Sequence, residues 1–63
     1  MNASPEKLLT AKDVMARLNV SRTTLWRLVK NREVDAIRIG KQLRFERRDI
    51  EAYIRKHTVP AKN

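Results

Sequence analysis

Sixty-three residues are enough for one small domain, close to the lower limit at which a single apolar core holds a chain together. With no cysteine there is neither a disulfide framework nor a thiolate metal site, and one histidine, His57, supplies no metal-ligand set. Fifteen Lys/Arg against seven Asp/Glu give a net charge of +8, and the excess is concentrated. From Arg17 to Arg48 there are ten basic residues and three acidic ones, which points to a polyanionic partner. No apolar run approaches the ~20 residues that cross a bilayer, and the first residues contain no apolar stretch of signal-peptide length. A cytoplasmic protein without membrane, cofactor or small-molecule ligand is therefore the expectation.

Residues 1–7 read as a polar tail, in which Ser4-Pro5-Glu6 is one possible helix cap. A later start is favoured, because Thr10-Ala11-Lys12-Asp13 is a second cap signal directly before a periodic segment. Ala11, Val14, Met15 and Leu18 follow at helical spacing, with Lys12, Asp13 and Arg17 outside the stripe, and predict a helix over 11–18. Asn19-Val20 is a short break. Ser21 is then an N-cap, and Leu25, Leu28 and Val29 form the apolar stripe of a second helix over 22–30. Two short helices joined by so tight a turn match the helix-turn-helix plan.

Period-two alternation follows around Gly40-Lys41-Gln42 and predicts a hairpin wing over 36–45. With these three residues as the loop, Ile39 faces Leu43, Ile37 faces Phe45, and Arg38 faces Arg44. The apolar pairs are then expected on the buried face, with the two arginines opposed on the outer face and a phosphate between them in the bound state. Glu46 on that face is the competing source of relief. Ile50, Tyr53 and Ile54 share one face of a last helix over 47–57, which Val59-Pro60 ends; residues 58–63 are expected to be a polar tail. The fold class is α+β, mostly α, with one domain over 8–57.

The second helix divides by face. Leu25, Leu28 and Val29 are expected to meet the first helix, which leaves Arg22, Thr23, Trp26, Arg27 and Lys30 on the other side. In a major groove that face is chemically sensible: arginine reads guanine O6/N7, threonine reaches base edges or a thymine methyl, and lysine suits phosphate. Ser21, Arg22 and Thr23 add backbone N–H groups aimed at a phosphate. Trp26 is expected to do some packing against the hairpin as well. Catalysis is not expected, since no Ser/His/acid constellation or phosphate loop is visible and Gly40 is the only glycine.

The run from Leu8 to His57 resembles the excisionase family of winged-helix proteins, related to the MerR-type DNA-binding domain. The resemblance is carried by Leu8-Leu9-Thr10, by Val20-Ser21-Arg22-Thr23-Thr24-Leu25-Trp26-Arg27-Leu28, by Arg38-Ile39-Gly40 and Arg44-Phe45, and by Asp49-Ile50-Glu51-Ala52-Tyr53-Ile54. It implies a recognition helix in the major groove and a wing at an adjacent minor groove or backbone. The DNA-contacting set is then Ser21, Arg22, Thr23, Trp26, Arg27 and Lys30 on the helix, with Arg38, Gly40, Lys41, Gln42 and Arg44 on the wing. It further implies a recombination directionality factor that binds repeated sites on double-stranded DNA, bends it, and assists an integrase (a tyrosine recombinase), with adjacent copies cooperating. A small winged-helix transcriptional regulator and a basic RNA-binding protein are the alternatives. The family often has a glycine in the link after the second helix, where this chain reads Asn31-Arg32-Glu33-Val34-Asp35; the left-handed position is expected at Asn31 in preference to Arg32.

Overall fold

The computed structural model describes residues 8–60; the proposed N-terminal tail and the last three residues of the C-terminal one lie outside them. In chain order come β1 (Leu8–Thr10), α1 (Ala11–Leu18), α2 (Arg22–Lys30), β2 (Ile37–Ile39), β3 (Gln42–Glu46) and α3 (Arg47–Lys56). Three helices against a small antiparallel sheet make a winged helix-turn-helix. The bounds of α1 and α2 are those the sequence predicts, and α3 is one residue shorter, with His57 as its C-cap.

Local chemistry accounts for the helix ends. Thr10 caps α1: its hydroxyl accepts from the Asp13 N–H at 3.0 Å, and the Asp13 carboxylate accepts from the Thr10 N–H at 3.0 Å. This reciprocal pair satisfies two of the donors a helix start leaves unmade. Asn19 ends α1 in the left-handed region, φ 57° and ψ 50°, which asparagine tolerates better than most residues. Ser21 then caps α2 by accepting from the Thr24 N–H at 3.2 Å.

The end of α2 departs from expectation. Asn31 stays near the helical side, φ −84°, while Arg32 takes the left-handed conformation at φ 62°. The bonding explains the choice. The Glu33 N–H donates to the Leu28 carbonyl at 2.9 Å and the Arg32 N–H to the Val29 carbonyl at 3.0 Å. That crossed pair is a Schellman closure, and it requires positive φ at the residue after the cap, whatever its type.

The sheet is where sequence and structure differ most. A first strand, β1, was not foreseen; it pairs with β3, so the strand order is β1-β3-β2 with β3 central. The wing loop has two residues, Gly40-Lys41, and not three, which sets the register Ile37↔Arg44, Arg38↔Leu43, Ile39↔Gln42. Gly40 has φ 62° and Lys41 does not share a positive φ, the pattern of a type II′ hairpin turn with glycine in first place. Directly opposed residues share a face, so the one-residue slip turns Ile37 and Ile39 outward beside Arg44 and Gln42. Both isoleucines are exposed. Arg38 is not opposite Arg44, and the anticipated pair of opposed arginines does not exist.

The core shows why this register prevails. Phe45 on β3 is fully buried with Val14 of α1, Leu25 of α2 and Ile50 of α3, and Val34 joins them. Leu9 lies opposite Phe45 on the same face, and Leu43 and Ala36 pack against the cluster. The inward residues approaching β2 are thus Val34 and Ala36, at even positions. Continuing their parity puts 37 and 39 outside. Ala11, Met15, Leu18, Leu28, Val29, Tyr53 and Ile54 surround the cluster as the helical periodicities predict.

Candidate nucleic-acid interface

Helix α2 is held by its apolar stripe, with Leu25 buried and Leu28 and Val29 half-buried. The opposite side therefore lies in solvent. Ser21, Arg22, Thr23, Trp26, Arg27 and Lys30 are all exposed, and the last five form one face. Trp26 is 43% exposed and is not among the residues packed on the core, so the packing expected of it is confined to its covered part.

The cations of this face are electrostatically uncommitted. Among the described residues, the side chains of Arg22, Arg27, Lys30, Arg38 and Lys41 have no ion-pair or hydrogen-bond partner. Helix α2 also has no acid in its first turn, so no carboxylate neutralises its N-terminal dipole end. Ser21 occupies the Thr24 N–H, and its own hydroxyl donates to the Thr24 Oγ1 at 3.2 Å. The N–H groups of Arg22 and Thr23 remain free of intrahelical bonds, as at any helix start.

Other members of the basic run are already engaged, which sequence counting does not reveal. The Arg17 guanidinium donates to both carboxylate oxygens of Glu51, at 2.7 to 3.1 Å, and ties α1 to α3. Arg48 donates to Glu46 at 3.0 Å. Arg44 is half-buried and donates to the Leu43 carbonyl at 3.0 Å. Within the run from Arg17 to Arg48, the uncommitted cations are then those of α2 and the wing, with Arg32 in the link between them.

On the wing, Gly40, Lys41 and Gln42 form the exposed tip, and a Cβ built on Gly40 meets nothing within 4 Å. Glycine is required there by its positive φ alone. Arg38 is exposed on the edge strand, separated by the register from Arg44. Ile37 and Ile39, absent from the predicted site, are the exposed apolar residues of the wing. The signal that locates them is the even-position parity of Val34 and Ala36 together with a Gly-Lys turn.

An open cleft beside α1 is lined by Thr10, Asp13, Arg17, Arg44 and Arg47. The Thr10 N–H first, then its hydroxyl and the nearby Lys12 and Arg44 charges, hold the Asp13 carboxyl below its ordinary value, against slight desolvation. His57 stacks on Tyr53, ring centroids 4.3 Å apart, with its Nε2 3.9 Å from a Glu33 carboxylate oxygen. Among the described residues no group of His, Cys, Asp or Glu is placed to hold a metal ion, and no helix is long and apolar enough to cross a membrane.

Comparison with known proteins identifies the family of this fold. Residues 8–58 match the family described as "Helix-turn-helix domain". The chain is 45% identical over 38 residues to two Mycobacterium tuberculosis proteins, each named "Putative DNA-binding protein", from strains CDC 1551 / Oshkosh and ATCC 25618 / H37Rv. The aligned part is 60% of this chain and 49% of each relative, so the chain spans about half the length of the curated relatives it matches. No solved structure matches it.

Proposed function

Because the chain belongs to the helix-turn-helix domain family, we propose that it binds double-stranded DNA in a sequence-specific way through α2 and the wing. The observation that carries this reading is the face of α2: three cations without partners among the described residues, a threonine and an exposed tryptophan, held rigidly by a buried stripe. Placed in a major groove, Arg22 and Arg27 donate to guanine O6/N7 and Thr23 meets a base edge or thymine methyl. Lys30 takes a phosphate, and the N–H groups following Ser21 receive another. Trp26 contributes a large apolar contact beside these polar ones. Arg38, Lys41, Gln42 and Arg44 address the adjacent minor groove or backbone, with Gly40 shaping the tip. Arg38 and Arg44 act separately, not as a clamp on one phosphate.

The motif resemblance supports an excisionase-type factor. Such a protein occupies repeated sites as adjacent copies, bends the DNA and assists a tyrosine recombinase in excising a phage or mobile element. The names of the mycobacterial relatives support the DNA-binding half of this proposal.

Site selection from random duplex followed by gel shifts tests both halves. With roughly six phosphates neutralised, log K falls against log salt with a slope of about −5, and a slope near zero overturns DNA binding. Arg22→Gln or Arg27→Gln relaxes base preference at a cost of ~1–3 kcal/mol per lost contact, whereas Lys41→Gln weakens all sequences alike. Equal affinity for RNA at matched salt counts against a groove reader. Clustered repeats beside an attachment site support excision; promoter sites replace it with transcriptional control.

A further inference from the structure

The wing exposes two isoleucines that the sequence pattern reserves for a core. Ile39 is 50% exposed immediately before the turn, and Ile37 is 37% exposed behind it on the same face. A lone surface isoleucine needs no explanation. Two in succession at the end of a hairpin, rimmed by Lys41, Gln42 and Arg44, are an apolar tip in a cationic frame. We infer that Ile39 is a wedge that enters the minor groove and partly unstacks a base step, with Ile37 lying along the sugar wall behind it. This rests on the DNA-binding reading above and names the device by which the bound duplex is bent.

Charge decides among the occupants. Beside the two isoleucines this face carries Lys41 at the turn and Arg44 opposite Ile37, and its acid, Glu46, stands farther from the tip. A second copy seated on this face brings Lys41 and Arg44 of both chains together, and like charges across an apolar contact oppose it. A duplex supplies the opposite sign at the rim and apolar sugar and base faces at the centre. Shape limits the contact to the tip: a two-stranded ribbon is too wide for a groove about 6 Å across, but the two-residue turn and the residue before it are not. Gly40 adds no side chain to the tip, and its Cβ direction is open. Apolar wedges of this kind kink a duplex by on the order of 20–90°, most cheaply at flexible pyrimidine–purine steps.

The test uses a site-selected duplex labelled at its ends for energy transfer, with 2-aminopurine placed in turn at each step the wing can reach. Wild-type protein is expected to bend the duplex and raise 2-aminopurine emission at one step. Ile39→Thr keeps a β-branched residue on the strand; it should lose that emission and most of the bend while retaining thermal stability, base preference and salt slope. Ile39→Leu should keep both signals. Wild-type binding without unstacking overturns the wedge and leaves the DNA-binding proposal standing; no duplex binding at all overturns both. Unchanged bending by Ile39→Thr also overturns it. Loss of concentration-dependent self-association in ultracentrifugation, with bending unchanged, reassigns the face to a second copy.

Discussion

Arg32 sits at φ 62° because the closure of α2 needs positive φ after its cap, and the chain has no glycine there. A left-handed L-residue costs roughly 1–2 kcal/mol, part of which glycine returns as entropy of the unfolded chain. Arg32→Gly is therefore expected to stabilise by about 1 kcal/mol, raising Tm by about 4–8 °C in a domain of this size. Calorimetry decides this; a lower Tm means that the arginine side chain makes its own contribution. Asparagine's general tolerance pointed the sequence reading to Asn31, whereas the position is set by which carbonyls remain to be satisfied. Asp13 gives a pH prediction. Its folded pKa is depressed below 3.8 chiefly by the Thr10 N–H, so its contribution is full above that value. It is lost as pH falls through the lower, folded value. Tm measured from pH 7 down to pH 2 should fall less steeply at the acid end in Asp13→Asn than in wild type.

At the scale of elements, the helices and the existence of the wing hairpin were legible, but the register of the sheet and its first strand were not. Thr10, Ser21 and the 3.6-residue stripes are local signals, and each maps directly onto a cap or a buried face. The wing register depends on turn type and on which parity the core accepts, and two alternations compete in the stretch 34–45. Val34-Ala36 and Leu43-Phe45 win because Phe45 fills the centre of the core. β1 has only three residues, too few to show a period, and its pairing is visible only through Phe45. Correcting the register changes an expectation: Arg44→Gln relieves no repulsion with Arg38, so it should not stabilise the fold. The Arg17–Glu51 pair between α1 and α3 was equally hidden, being set by tertiary placement. With the two side chains 50% and 33% exposed, solvent screening limits it. A double-mutant cycle should give a coupling of roughly 0.2–1 kcal/mol that shrinks on adding salt; a larger, salt-independent coupling means a less screened contact.

For the whole molecule, the basic run counted in the sequence becomes a sorted surface. Arg17 and Arg48 hold carboxylates and Arg44 a carbonyl, while Arg22, Arg27, Lys30, Arg38 and Lys41 stay uncommitted among the described residues. The charge excess was readable from composition; which cations belong to the scaffold required the fold. Strand β1 has a further consequence, for the order of events in folding. Leu9 meets Phe45 across 36 residues of chain, whereas the wing closes through two. Hairpins form in microseconds from neighbouring residues, but β1 pairing must wait for the intervening loop to close. Thr10 belongs both to β1 and to the α1 cap, so the first helix gains its final anchor when the sheet gains its last strand. Leu9→Ala should consequently speed unfolding with little effect on folding, a φ-value near zero, while Leu43→Ala should slow folding. The strand nearest the beginning of the domain thus acts as its latch, and the lifetime of the folded state is set there.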